Sequence, residues 1–448
     1  RLSDGRFASG ILTADSKKAV TRRKHSVQQL CVGNMTDYQS SINQVIKNWD
    51  FAPALRSRNF RLLWIGQIVS TMGTFLQVVA ENWLLYDITG STFLLGVVGF
   101  VGLVPVVPIS FLGGVIIDRV PKRKLITVTQ IGLLTQAAVF GLLASSGQIR
   151  PWHIVILDFV MGSLYAVDTP ARQAFLTELV GKEDLANAIA LNSAIFQLSR
   201  VVGQAVAGLL IAGIGAGGAM LLNAASYLAP VVALAMIRVK QVDRTPEHGR
   251  LMAAMSEGMT TLLRRFALVG TVSLMMTAGA LPYAVSIMMP AFAEDVLGTG
   301  AIGLGLLLSS SAIGAAIGAL LVARLGTSQR GRTLTASSFL VPLLMVGFAT
   351  ARSLPLGCLI LLGIGLVQCV LQAVAATLVQ INVPDRVRGR VMSLYMMLIV
   401  GAPKLAGMLL GAIAEPLGLP PALILFSVAA FVYVTGVHVF VPAVRQLD

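Results

Sequence analysis

The ionisable side chains Glu81, Asp158, Arg200 and Lys404 fall inside apolar stretches long enough to cross a membrane. A charge at membrane depth costs at least about 2.5–3.5 kcal/mol on insertion scales, so such residues face a cavity or an opposite charge. The acids and the bases imply different chemistry. Two carboxylates at similar depth disfavour each other's charge, and a carboxylate so placed can take up and release a proton. At 1.5 Å per helical residue, Glu81 lies about 6 Å from the end of its stretch and Asp158 about 9 Å from the start of its own. The plainer alternative for Glu81 is that it reaches the lipid headgroups. Arg200 and Lys404 sit mid-stretch. Lys404, in GAPKLAG, would salt-bridge an acid or attract an anionic substrate. A lysine stem snorkelling to the interface is the alternative, and mid-span placement makes it awkward. Arg200 reads as a cavity or packing charge. Five amides are candidates for a polar cavity lining: Gln77, Asn192, Gln197, Gln368 and Gln372. Gln368 and Gln372 are one turn apart and share a helix face. Interhelical hydrogen bonding, about 0.6 kcal/mol per bond on average, explains such amides equally well.

The elements that must hold these groups are legible from hydropathy. Only 12% of the 448 residues are charged and 56% are hydrophobic, against roughly 25% charged in a soluble domain. Mean hydropathy is +0.80. Twelve apolar segments run at 62–85, 92–117, 125–146, 152–171, 185–212, 218–237, 266–290, 302–324, 333–351, 354–380, 390–415 and 420–442. Lipid offers the backbone no hydrogen-bond partner, so spans are helices or a closed barrel. These runs are twice the length of a barrel strand and lack its alternation, which leaves helices. The fold class expected is therefore an all-α membrane protein with twelve transmembrane helices. Pro105, Pro108 and Pro282 should kink their helices, and small residues such as Gly203 and Gly208 should permit close helix contact.

Of the 34 Lys and Arg residues, all but four fall on one side of this arrangement; the exceptions are Arg150 and Arg352 on the other side and the in-span Arg200 and Lys404. The positive-inside rule then places both termini in the cytoplasm. This also accounts for the net charge of +14 without nucleic acid as a partner. The polar segment 238–265 divides the chain six plus six. GGVIIDRVPKR (113–123) resembles GALLVARLGTSQRGR (318–332), and ELVGKEDLANAIALNS (178–193) resembles QINVPDRVRGRVMSLY (380–395), both at an offset near 200. A tandem repeat of two pseudo-symmetric six-helix bundles follows. The expected units are a disordered basic cytoplasmic tail (1–55), a first bundle (56–237), a cytoplasmic linker (238–265) and a second bundle (266–448).

At this point the chain resembles the major facilitator superfamily. GVIIDRVPKRK (114–124) is similar to its signature G-x-x-x-D-R-x-G-R-K, with Pro121 in place of a glycine. More narrowly, FRLLWIGQIVSTMGTFLQ (60–77), LLYDITGS (84–91), DTPARQAFLTELV (168–180), the run 185–210 and RGRVMSLYMM (388–397) resemble the third drug–proton antiporter group, which exports macrolides, multiple drugs and siderophores. The resemblance implies the major facilitator fold and proton-coupled export. It also implies a cytoplasmic gate at Gly114, Asp118, Arg119 and Arg123, with Asp118 docking on the partner half. Topology and helix capping are the alternative for these residues. RVVGQAVAG (200–208) is related to the antiporters' glycine–proline motif, but Gln204 stands where proline is usual.

Other classes find little support. GIGAGG (213–218) and GTGAIG (298–303) fit G-x-G-x-x-G but follow no strand, and read as loops. No phosphate-binding P-loop and no H-E-x-x-H occurs. Three scattered cysteines and four scattered histidines indicate neither a disulfide framework nor a metal site. No cofactor is expected, and no enzymatic activity. The reading is a secondary transporter in the cell membrane, a monomer with a small amphipathic molecule, protons and the bilayer as partners. The alternatives are export of a siderophore or other anionic metabolite, or a non-transporting receptor or scaffold.

Overall fold

The computed structural model describes residues 52–106, 108–109, 120–181, 183–237, 259–260, 262–263, 265–324 and 329–447. Among the described residues there is no strand, and nearly all are helical. Ten helices are long and apolar enough to cross a membrane. They are α1 (Arg58–Thr89), α3 (Lys122–Ser145), α4 (Pro151–Val180), the continuous run Leu185–Met236, α7 (Phe266–Ile287), α8 (Gly300–Arg324), α9 (Arg330–Ala349), α10 (Leu354–Ile381), α11 (Asp385–Leu417) and α12 (Leu419–Phe440). The run Leu185–Met236 contains two expected spans, α5 (185–214) and α6 (216–236). A shorter helix, α2 (Thr92–Val101), begins the remaining span. Each of the twelve expected segments contains helix among the described residues, the second being described only as far as Ile109.

The differences have local causes. GIGAGG is no loop: the chain turns between α5 and α6 at Gly215 alone, at φ 75° and ψ 167°. That backbone conformation is open to glycine and strained for other residues. The second span departs from regular helix after Val101, where turns run through Gly102–Pro105. Pro105 has no N–H to return to the carbonyl four residues before it. In α7 regular helix stops at Thr277 and restarts at Leu281, with Pro282 in the first turn of the new segment. A proline is tolerated there because a helix's first N–H groups have no intrahelical partner.

An even number of spans brings the described ends to one face, here called the terminal face. The loops of that face tie them down: Ser57 Oγ donates to the Leu179 carbonyl at 3.1 Å, and Gly331 N–H to the Leu447 carbonyl at 2.8 Å. The opposite face is called distal. The core is not the same at both faces. Toward the distal face one hydrophobic cluster runs through both groups of six helices, from Leu76, Val98 and Ile211 to Leu304, Leu410 and Leu423. Toward the terminal face it divides in two, one cluster around Phe60, Phe175 and Leu234 and another around Leu274, Leu378 and Tyr395. The two groups of helices are thus joined distally and separate terminally.

Small residues make the distal junction possible. A Cβ on Gly208 would lie 2.5 Å from the Ala301 carbonyl oxygen, and one on Gly96 would lie 2.6 Å from Met408 Cα. These contacts draw α5 onto α8 and α2 onto α11. Lipid is as apolar as leucine, so close van der Waals fit replaces the hydrophobic effect as the force between helices. Gly203 does the same within the first group, facing the Met72 carbonyl of α1.

Candidate functional site

The interior of the first six helices is built around two polar stripes. On α1, Gln67, Thr71, Thr74, Gln77 and Glu81 recur every three or four residues, and on α4 Asp158, Tyr165, Asp168 and Arg172 follow at steps of seven, three and four, which keeps them on one face. Near the terminal face the stripes begin in a cavity of about 290 Å³ between α1, α4 and α5, whose lining includes Gln67, Thr74, Tyr165, Arg172, Asn192 and Phe196. The charges at its wall are neutralised within α4. Arg172 ion-pairs with the fully buried Asp168, its Nε donating at 2.5 Å. Asp168 also accepts from Thr129 Oγ1 at 2.6 Å and Gln130 Nε2 at 3.0 Å. A buried carboxylate with this many donors is held firmly in place.

Above the cavity the hydroxyls of Thr74, Tyr165 and Tyr227 close a triangle with sides of 2.9, 3.1 and 3.2 Å. One turn further along α1, Gln77 is buried among amides. It donates to Gln136 Oε1 at 3.2 Å and accepts from Asn223 Nδ2 at 2.6 Å. The structure therefore puts Gln77 in an interhelical network joining α1, α3 and α6.

Glu81 and Asp158 come next, 3% and 8% exposed. Glu81 lies within reach of the Gln77 amide and feels the charge of Asp158. The Asp158 carboxylate leans on the backbone where α2 breaks: a Cβ on Gly102 would sit 3.0 Å from its Cγ. One oxygen of each acid, Glu81 Oε1 and Asp158 Oδ2, is buried without a hydrogen-bond partner. Buried polar atoms are normally paired, so these two oxygens stand out among the described side chains as acceptors without a donor. The third charge arrives from the other group of helices. Lys404 of α11 acts electrostatically on both acids without forming a direct ion pair with either. The structure thus brings Glu81, Asp158 and Lys404 together, from α1, α4 and α11.

The remaining expected residues scatter. Arg200, on α5, is half-buried with its Nε unpartnered, and its charge reaches Cys369 of α10. Asn192 lines the cavity; Gln197 and Gln372 are half-buried outside it. Gln368 is buried, its amide donating to the Gly279 carbonyl where α7 is broken. Gly114, Asp118 and Arg119 lie outside the described residues, as does the segment 238–258. Arg123 is described. Its guanidinium donates to the carbonyls of Leu234 at 2.6 Å and Ala235 at 3.0 Å, capping the last turn of α6 within its own group. No group of three or more metal-ligating side chains occurs among the described residues.

Sequence reasoning missed Asp168, Arg172 and the partners of Gln77. Asp168 satisfied the rule that found Asp158, since it falls inside the expected span 152–171. Gln136 and Asn223 were visible as amides in apolar runs, but their convergence on Gln77 needs the mutual rotation of three helices.

Charges held between two groups of six membrane helices, joined at one face and parted at the other, define a helical transporter of small molecules. The chain belongs to the family described as transmembrane secretion effector, within the major facilitator superfamily, which matches residues 49–448. It is a multi-pass membrane transporter and not an enzyme. It is similar to the multidrug efflux pump Tap of Mycolicibacterium fortuitum, 26% identical over 403 residues, covering 86% of this chain and 96% of that protein. It is also similar to the staphyloferrin A transporter of Staphylococcus aureus, 29% identical over 177 residues, covering 39% and 44%. Among solved structures, an inward-facing, unoccupied bacterial homolog of the human lysosomal transporter Spinster has a TM-score of 0.67 at 13% identity, covering 87% of this chain and 98% of that one. The fold is that of the major facilitators.

Proposed function

We propose that the chain exports a small amphipathic compound by alternating access in exchange for protons. Asp158 and Glu81 bind the proton, and Lys404 is their counter-charge. The observation that carries this reading is the pair of unpartnered carboxylate oxygens, Glu81 Oε1 and Asp158 Oδ2, beside a lysine from the opposite half. Such intramembrane acids mark ion and proton pathways. The cavity supports it too. Its lining runs along α1 to Thr74 and Val78 and ends one turn short of Glu81, a polar-walled space for a small molecule in the same half as the acids. The basic loops orient that face toward the cytoplasm. In this reading 56–237 and 266–448 move as two bodies around 238–265. The tail 1–55 is cytoplasmic, and the working unit is a monomer in the inner membrane.

The test uses purified protein in vesicles with an imposed proton gradient and a cationic dye. Dye-dependent proton flux is expected, and Asp158→Asn should reduce it at least tenfold, since an amide cannot cycle between charged and neutral forms. Unchanged flux in Asp158→Asn defeats the assignment.

A second reading, export of a siderophore or similar anionic metabolite, is favoured by Lys404 and Arg200 and by the likeness to a staphyloferrin A transporter. It predicts that Lys404→Gln cripples anion export while Asp158→Asn spares anion binding.

A further inference from the structure

The distal face is shut by hydrogen bonds as well as by packing. Glu415, in the last turn of α11, lays its carboxylate on the N-terminus of α2. Its Oε2 accepts from the Phe93 backbone N–H at 3.0 Å, Thr92 Oγ1 at 3.0 Å and Ser91 Oγ at 3.1 Å. The first N–H groups of a helix have no intrahelical acceptor and form the positive end of its dipole. A carboxylate there is held by charge and by hydrogen bonds together. Ser91 is occupied in both roles, its Oγ also accepting from Leu94 N–H at 3.1 Å as the helix cap. Thr92 Oγ1 reaches the Gly411 carbonyl at 3.0 Å as well. The donors all belong to the first six helices and the acceptors Glu415 and Gly411 to the last six. A second bridge crosses the same face where the Tyr86 hydroxyl of α1 donates to Asp295, in the turn before α8.

These contacts differ in kind from the packing beneath them. Glu415 and Asp295 are exposed. Water would replace their partners if the halves parted, so separation strands no buried charge. The bonds act only while the distal ends are together.

We infer that Glu415 is the distal latch: its seat on the α2 N-terminus holds the outer ends of the two halves shut, and it must leave that seat for the transporter to open distally. Glu415 is a positioning residue that never needs to touch the substrate. The inference rests on the alternating-access reading.

The test reads the distal gap directly. In the full-length protein in lipid nanodiscs, with Cys31, Cys358 and Cys369 replaced by alanine, spin labels are placed at Ile88→Cys and Leu417→Cys, both exposed at the distal ends of α1 and α11. Pulsed dipolar spectroscopy gives their distance distribution. Glu415→Ala should raise the long-distance population about two- to fivefold, the size expected of an exposed charge at a helix terminus. Glu415→Gln, which keeps an acceptor but no charge, should fall between it and the parent. Phe93→Pro removes the same bond from the donor side, at a helix position where proline is tolerated, and should shift the distribution the same way. Glu178→Ala breaks an ion pair with Lys122 on the terminal face and should leave the distance unchanged. A Glu415→Ala distribution superimposed on the parent overturns the latch, as does an equal shift in Glu178→Ala. Because the distance is read without substrate, an opened variant whose parent moves no protons leaves the latch standing and defeats the antiport reading. Proton-driven efflux with an unmoved distance does the reverse.

Discussion

The two groups of six helices share an architecture and differ in what they bury. Within α1–α6 the buried set includes three acids, Glu81, Asp158 and Asp168, and four amides, Gln77, Gln130, Gln136 and Asn223. Within α7–α12 it includes, among the described residues, no acid, one amide, Gln368, and one histidine, His438. The core of the second group is packed instead from Leu274, Val374, Leu378, Tyr395 and their apolar neighbours. The polar interior of the first group is tied together by bonds between its own helices, through Gln77 and Asp168. What the second group brings to them is one charge, Lys404. In the proposed reading, one half is a prepared site and the other a carrier of its counter-ion.

This contrast can be broken by substitution. The largest effect is expected at the acids: Glu81→Gln, like Asp158→Asn, should cut proton-coupled flux in vesicles at least tenfold, whereas Gln368→Leu in the second half should leave coupling intact. A coupling defect of similar size in Gln368→Leu would erase the distinction. Next comes Asp168→Ala, which leaves the Arg172 guanidinium without its ion-pair partner and should destabilise the protein by about 3–5 kcal/mol, read as a lowered midpoint of thermal unfolding in detergent. Gln77→Leu removes the hub between Gln136 and Asn223 and strands both, costing about 1–3 kcal/mol by the same measurement. The smallest effect is expected in the second half. Ser338→Ala loses a 3.3 Å contact with His438 Nε2 and a local bond to the Thr335 carbonyl of its own helix, and the interhelical loss should change stability by about 0.6 kcal/mol. A larger loss from Ser338→Ala than from Gln77→Leu would show that the second interior is also held by polar bonds.

Much of this was legible in the chain. The positions of the spans follow from hydropathy because a bilayer imposes one length on every helix. The acids and Lys404 were legible because charge inside an apolar run is costly enough to demand a reason. The turn at Gly215 was not, since six residues of glycine, alanine and isoleucine read as a loop when a single positive φ was all the chain needed. Partnership was also hidden. Nothing local in the sequence says that Gln77 meets Asn223, that Lys404 rather than Arg200 faces the acids, or that Arg123 turns to α6. Such pairings are set by helix rotation, which tight contacts like Gly203 on Met72 decide in three dimensions. Glu415 escaped notice for a related reason: at the very end of its span it reads as an ordinary solvated acid.

Lys404 has one further consequence, and it concerns arithmetic rather than contact. Two ionised carboxylates and one ammonium sum to a single negative charge, so one added proton makes the group electrically neutral and a second makes it positive. Moving a charged cluster through a medium of low dielectric constant carries a solvation cost that a neutral one avoids. Under the antiport reading proposed above, the once-protonated cluster would be the form in which the two halves exchange faces most readily, and the lysine would set the number of protons at which that happens.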